Sequence, residues 1–280
     1  MPHVPKAFGA YHEPFVGGGA LYWHLYGLGR IPKPDLDGAH AHLSDGNARL
    51  IRTYHAIQED VESVIRRLAD PRCVCGSVEF ATVRACFNAS QIDKSYLNAD
   101  VAAYFIYLNK CGFNGLFREN RAGEFNVSFG KSPTPPVICD AKNLRACESA
   151  LSSAKVIYQD FRAAARAMKP GDFAYFDPPY APMSATSDFT GYGKASFGPA
   201  EQVALRDLAL TLVGRGVQIV LSNSSAPAIR ELYADFAQIE VHARRAVNSN
   251  AAKRGPVTEL LLIPRTQPYT THPRNDHESL

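Results

Sequence analysis

The chain contains no hydrophobic run long enough to cross a bilayer. Its longest apolar stretches, "VQIVL" and "ELLLI", fall far short of the ~20 residues that a spanning helix needs. Its start lacks the basic segment followed by an apolar stretch that marks a secretory leader. Both absences predict a soluble, cytoplasmic protein. Six cysteines (Cys73, Cys75, Cys86, Cys111, Cys139 and Cys147) form no CxxC pair and no cysteine–histidine spacing typical of zinc, so reduced thiols and no metal site are expected. No internal repeat is visible. Neither sign of charge dominates: 30 Lys+Arg against 27 Asp+Glu leave a net charge of +3 and a pI near 8.5, which permits an anionic partner without requiring one. What remains is 280 residues with 46% hydrophobic and 20% charged content, enough to bury one large core or a core with a sizeable insertion.

The order of patterns along the chain suggests an insertion. Glycine-rich "FVGGGAL" follows a short strand-like segment, "AHLSDGN" places Asp45 after a second one, and "ARLIRTYHAIQEDVESVIRRLAD" has apolar residues at helical spacing. From about Ala56 to Leu151 helical segments are broken by "KCGFNGLFRENRAGEFNVSFGKSPTPP", whose turn residues predict an exposed loop with a hairpin. Strands resume at "AKVIYQDF", "DFAYFDPPY", "VQIVLSNSS" and "TELLLIP", with "PAEQVALRDLALTLVGRG" as an amphipathic helix between two of them. The polar residues from Thr266 onward read as a frayed tail. Such alternation predicts an α/β sheet with helices on its faces, whose ligands bind at the carboxyl ends of strands. Gly17 to Gly19 and Asp177 both fall at such ends and are expected to share one crevice.

Four stretches carry candidate chemistry. "FAYFDPPY" ends a buried-type strand in a carboxylate and stiffens the chain after it with two prolines, although Asp-Pro is also an ordinary turn opener. "EPFVGGGAL" allows backbone to approach a ligand, yet it departs from GxGxxG and a glycine cluster alone is weak. Asp45 stands where an acid commonly accepts ribose hydroxyls, and "SDGN" is equally a helix-capping turn. Between Asn109 and Lys131, basic residues interleave with Phe113, Phe117, Phe125 and Phe129. That mixture suits phosphate contact, base reading and wedging between bases, or else a solvated hairpin with its phenylalanines in a local core. A second basic patch, "ARRAVNSNAAKRG", reads either way.

Glycine loop, long insertion, then DPPY is the order of the N6-adenine DNA methyltransferases, and in detail the chain resembles the DNA adenine methyltransferase (Dam) family, a D12-class, alpha-group family. "YLNKCGFNGLFRENRAGEFNVSFG" is similar to that family's recognition hairpin, "DPPYAPMSATSDFTGYGKASF" to its catalytic strand and following loop, and "RRAVNSNAAKRGPVTELLL" to its C-terminal signature. The similarity runs from about Tyr11 to Pro264. The segment resembling Lys-Trp-Ala-Gly-Gly-Lys with which family members begin is missing before the glycine loop, where "PKAFGAY" is a faint echo.

The resemblance implies a Rossmann-like, S-adenosylmethionine-dependent methyltransferase sheet over residues 1–55 and 152–266, an inserted, mostly helical recognition domain with a β-hairpin over 56–151, and a tail over 267–280. It implies transfer of a methyl group from S-adenosyl-L-methionine to adenine in double-stranded DNA, by a protein that is monomeric in solution. Asp177 and Pro178 would accept the amino hydrogens of adenine N6, and Tyr180 would stack on the flipped base. Phe15, Gly17, Gly18, Gly19, Asp45, Asp160 and Phe161 would hold the cofactor. Phe113, Asn114, Leu116, Arg118 and Lys131 would meet DNA, with GATC as the site. Ser128, standing where relatives tend to carry proline, would loosen the reading of one outer base pair. Methyltransferases acting on RNA or protein glutamine share Pro-Pro-Tyr motifs but have no use for the hairpin, and a DNA-binding relative without turnover would also keep it.

Overall fold

A computed structural model describes residues 3–31, 38, 40–71, 73–132, 134–183, 197–244 and 256–265. Seven strands form one sheet: β1 (Tyr11–Glu13), β2 (Ala41–Asp45), β3 (Ala154–Tyr158), β4 (Phe173–Phe176), β5 (Gln218–Ser224), β6 (Phe236–Arg244) and β7 (Pro256–Pro264). Their order is β3-β2-β1-β4-β5-β7-β6, with the first five parallel and β7 antiparallel to both β5 and β6. Five parallel neighbours explain the composition of β4. Phe173, Ala174 and Phe176 are all buried, because a strand covered on both faces has no use for strict alternation.

Helices α1 (Ala20–Gly27), α2 (Ala48–Leu68), α5 (Ala141–Leu151), α6 (Phe161–Ala164), α7 (Pro199–Gly214) and α8 (Pro227–Leu232) accompany the sheet, while α3 (Ser77–Ala89) and α4 (Asn98–Cys111) build a helical layer. The two packed sides of the sheet form separate clusters, one around Phe176, Leu205, Leu221 and Leu260, the other around Tyr11, Tyr22, Leu43 and Phe173. Each fully buried side chain of this size is worth about 1.5–3 kcal/mol. A third cluster joins Val61, Val64 and Leu68 of α2 to Ala102 and Ala103 of α4, and a fourth gathers Phe80, Phe87, Tyr107, Phe125 and Val127.

Helix α2 therefore serves two cores. Asn47 caps it by accepting the Arg49 and Leu50 amides at 3.0 and 3.1 Å. Ile51 and Tyr54 pack on the sheet, and the helix breaks at Asp60 (φ −153°, ψ 60°) before its second half enters the helical layer. Asp60 restarts it by accepting the Ser63 amide at 3.2 Å.

One expectation needs correction. The cysteines are not all free: the chain entering α3 folds back on the end of α4, bringing the Cα atoms of Cys75 and Cys111 to 5.8 Å, and the two are joined as a disulfide. The hairpin is held by isolated antiparallel bridges, Gly112 with Phe129 and Glu119 with Phe125, rather than by a continuous ladder. Strand β6 was not anticipated. The loop after DPPY beyond Met183, most of the second basic patch and the C-terminal tail lie outside the described residues. Among the described residues no helix is long and apolar enough to cross a membrane.

Candidate active site

The glycine loop is shaped by its own backbone. Val16 N–H donates to the Ser44 carbonyl at 2.9 Å, and Gly17 and Gly19 take left-handed φ values of 46° and 66°. At Gly19 the demand is double, since a Cβ there would sit 2.9 Å from both Trp23 Nε1 and the Tyr54 hydroxyl. A Cβ on Gly18 would meet nothing within 4 Å. Trp23 Nε1 donates to the Gly18 carbonyl at 2.8 Å and Tyr54 to the Gly17 carbonyl at 3.0 Å, so aromatic side chains brace the loop from behind.

Asp45 closes the loop's other side. Its Oδ2 accepts the Gly17 amide at 3.1 Å and its Oδ1 the Asn47 amide at 2.8 Å. Burial raises its carboxyl above the ordinary value, against the pull of the Gly17, Asn47 and Gly46 amides. The capping reading of "SDGN" holds, since Asn47 caps α2, and Asp45 lines the cavity.

Phe15 stacks on Phe161 with centroids 5.4 Å apart, and Phe197 meets Phe15 edge-on at 5.4 Å. Asp160 caps α6 through the Arg162 amide at 2.9 Å and keeps an exposed carboxylate paired with Arg162, whose guanidinium lies over the Phe161 ring at 4.4 Å.

At the end of β4, Asp177 accepts a hydrogen bond from the Ser222 hydroxyl on neighbouring β5. The chain after it is clamped from below. Buried Gln202 of α7 donates Nε2 to the Pro179 carbonyl at 3.0 Å, buried Asn223 accepts the Ala181 amide at 3.2 Å, and Asn223 Nδ2 donates to Gln202 Oε1 at 3.0 Å. Asn223→Leu is expected to destabilise the fold by about 1–3 kcal/mol, because Gln202 Oε1 would lose its donor and the amides of Ala181 and Ser224 their acceptor. Urea unfolding checks this, and unchanged stability would show that the clamp is not formed. The Tyr180 hydroxyl reaches Glu259 Oε2 at 3.4 Å, and burial with Asp177 nearby raises its pKa.

A cavity of about 940 Å³ is lined by Gly17, Gly18, Gly19, Phe15, Asp45, Asp177, Pro178 and Tyr180, so the anticipated shared crevice exists. Asp160 and Phe161 line a second one of about 630 Å³, which shares Phe15, Asp45 and Pro179 with the first. Glu13 also lines the larger cavity. Burial, and secondarily the charge of Asp177, raise it from an ordinary 4.5 to about 8, although it accepts the Tyr11 hydroxyl at 2.8 Å. Sequence reasoning missed Glu13, Ser222, Gln202 and Asn223, whose signals are only a lone acid ending a strand and polar residues ending an apolar one.

In the hairpin, Phe125 and Val127 are buried against Phe80 and Phe87, whereas Phe113 and Leu116 remain exposed. Local core and exposed face are both present. Asn114 (φ 54°) and Gly115 (φ 63°) take left-handed conformations that turn the chain after Phe113. The guanidinium of exposed Arg118 reaches across the hairpin to Asn126, Nε donating to its Oδ1 at 2.7 Å and Nη2 to its carbonyl at 3.3 Å. Lys131 borders a cavity of about 600 Å³ with Phe113 and Asn114.

The parallel sheet, with a glycine loop, a buried acid and a strand-end Asp-Pro-Pro-Tyr around one cavity, defines a Rossmann-like methyltransferase fold. A family model for D12 class N6 adenine-specific DNA methyltransferase matches residues 1–247. A type II methyltransferase from Lactococcus lactis subsp. cremoris is 33% identical over 268 residues, covering 94% of this chain and 90% of the relative. One from Methanocaldococcus jannaschii is 34% identical over 262 residues (90% and 87%), and the DNA adenine methylase of Escherichia coli is 33% identical over 264 residues (93% and 88%). The chain belongs to the D12 class of N6 adenine-specific DNA methyltransferases, and its substrate is accordingly DNA.

Proposed function

We propose that this protein transfers a methyl group from S-adenosyl-L-methionine to the N6 of adenine in double-stranded DNA, at GATC. The observation that carries the proposal is the opening of the glycine loop, Asp45 and Asp-Pro-Pro-Tyr into one cavity. The residues suit the cofactor: Asp45 is a partly buried acceptor fit for ribose hydroxyls, Gly18 has open space where a side chain would stand, and the Phe15–Phe161 stack with Asp160 beside it offers an apolar wall for an adenine. When bound, the cofactor supplies an electrophilic methyl group on a sulfonium.

The target amine is a poor nucleophile because its lone pair is delocalised into the ring. In this reading the Asp177 carboxylate and the Pro178 carbonyl accept its two hydrogens and localise that pair, and Asp177 takes the proton released on transfer. Tyr180 stacks on the base once it is flipped from the duplex. The prolines, Ser222 and the Gln202–Asn223 clamp hold these acceptors in place before substrate arrives, which is electrostatic preorganisation. Residues 1–55 and 152–266 form the catalytic unit and 56–151 the recognition unit, with α2 passing from one into the other.

Arg118 is assigned to a guanine, Phe113 with Asn114 and Leu116 to the space beside the flipped adenine, and Lys131 to phosphate. A bidentate arginine–guanine contact discriminates by about 1–3 kcal/mol. Methyl transfer to duplexes carrying every single-base variant of GATC tests the proposal. Arg118→Ala is expected to relax selectivity at one guanine, while Lys131→Ala weakens all duplexes alike and flattens the salt dependence. A preferred site without a central adenine-thymine step, or a preference unchanged by Arg118→Ala, would overturn the assignment of the hairpin as reader.

A further inference from the structure

Arg49 is one of the few charged side chains that the fold buries, with 5% of its surface exposed. It stands four residues beyond Asp45 in the first turn of α2, where its amide donates to Asn47 Oδ1 at 3.0 Å. Its guanidinium points away from the sheet and binds two other parts of the chain. Nη1 donates to the Phe87 carbonyl near the end of α3 at 3.3 Å, while Nη2 donates to the Gly123 carbonyl at the hairpin's turn at 2.9 Å and to the Glu119 carboxylate. The guanidinium carbon sits 4.1 Å from the centroid of the Phe87 ring. Glu119 is the neighbour of Arg118 and bridges to Phe125 on the opposite strand, so the contact lies at the level of the proposed reading residue.

Polar contacts continue on the sheet side. The Gly17 amide meets Asp45 Oδ2, the Asn47 amide meets Asp45 Oδ1, and the Arg49 amide meets Asn47 Oδ1. A few consecutive bonds thus connect the glycine loop to the hairpin. Arg52, one turn further along α2, provides an internal comparison. It braces the α3–α4 connection through the Tyr96 carbonyl at 2.7 Å and Asn98 Oδ1 at 2.8 Å, outside the hairpin.

We propose that Arg49 is a positioning residue that, through Glu119 and the Gly123 carbonyl, sets the hairpin's register against the cofactor end of the sheet and thereby controls how strictly DNA sequence is read. The proposal rests on the hairpin being the reading element. A planar guanidinium suits the task because it engages several acceptors in fixed directions, which the single ammonium of lysine does not. Buried Phe125 and Val127, with Asn88 pairing both backbone groups of Phe125, fix the returning strand, and Arg49 adds the hold on the outgoing strand at Glu119 and on the turn at Gly123, where the pairing is limited to isolated bridges.

The full chain carrying Glu119→Gln, Arg49→Lys or Arg52→Met tests this through three readouts: melting temperature, affinity for S-adenosylhomocysteine without DNA, and the ratio of kcat/KM on GATC to that on each single-base variant. Glu119→Gln is expected to lower that ratio at least tenfold for one or more variants, with cofactor-product affinity within twofold of the parent, and Arg49→Lys to act in the same direction. Arg52→Met is expected to leave the ratio within twofold even where it lowers the melting temperature. If Arg118→Ala relaxes discrimination while Glu119→Gln and Arg49→Lys do not, the hairpin reads DNA but Arg49 does not position it. Equal relaxation by Arg52→Met would also overturn the proposal, by showing that any bracing of the helical layer suffices. If Arg118→Ala leaves the preference untouched, the assignment of the hairpin fails and this inference falls with it. Should Arg49→Lys fail to fold, Glu119→Gln decides alone: it takes the counter-ion from the buried guanidinium, but Glu119 is partly exposed and the glutamine amide oxygen can still accept from Nη2.

Discussion

Asp177→Ala is expected to lose two to three orders of magnitude in methyl transfer while melting temperature and affinity for S-adenosylhomocysteine stay close to those of the parent. The carboxylate ends β4 at an exposed position, with the Ser222 hydroxyl as its side-chain partner. Removing it leaves no buried charge, because a serine can turn its proton to the Phe176 carbonyl, 3.3 Å away. The fold therefore gives up little. Chemistry gives up much more, since an acceptor aimed at charge that develops only in the transition state is worth roughly 3–4 kcal/mol, or about 10²–10³ in rate. Single-turnover methyl transfer at saturating DNA and cofactor measures the loss directly. Retention of more than about a tenth of the turnover would remove Asp177 from the mechanism.

The second large effect concerns stability against pH. Glu13 is almost wholly enclosed, and its carboxyl is raised to about 8 chiefly by burial. In the unfolded chain it loses its proton near the ordinary 4.5, so between the two values the folded state holds one proton more than the unfolded state. Stability from this group is fully present below pH 4.5 and drains away as pH rises through 8, at about 1.4 kcal/mol per pH unit, with a ceiling on the order of 5 kcal/mol over the whole window. Glu13→Gln keeps the shape and cannot ionise. The free protein is accordingly expected to lose urea resistance from pH 5 to pH 8, and the variant to show a flatter profile that crosses above the parent in the alkaline range. Parallel profiles would show that Glu13 is ionised in the fold. The same burial means that, at neutral pH, Glu13 adds little negative charge beside Asp177.

Much of this architecture is legible in local sequence. "FAYF" is apolar on both faces and bounded by Asp172 and Pro178, and it forms β4 over the same four residues, which places Asp177 at a strand end. The spacing over "ARLIRTYHAIQEDVESVIRRLAD" likewise yields α2, though nothing in its period announces the break at Asp60. Strand β6 was legible in principle, since Ala237, Ile239, Val241 and Ala243 alternate with polar residues. Glu13 was not, because its state depends on enclosure that no neighbouring residue reveals. Arg49 and Glu119 are 70 residues apart, and Ser222 meets Asp177 across 45, so both contacts exist only once the chain has closed on itself. The disulfide escaped for a similar reason: spacing argues against a framework of bridges, but says nothing of two distant thiols carried together by the end of α4.

The position of Asp60 within α2 carries a geometric consequence. Between Asn47 and that break the helix acts as a gauge block, because each added residue turns whatever follows by about 100° and advances it by about 1.5 Å. One residue inserted or deleted there would turn Val61, Val64 and Leu68 out of phase with Arg49 and Arg52, so that the two grips of α2 on the helical layer would no longer face the same way. Replacing the helical layer is therefore a matter of phase as much as of sequence, and a graft that conserves the count from Asn47 to Asp60 is expected to keep both grips aligned.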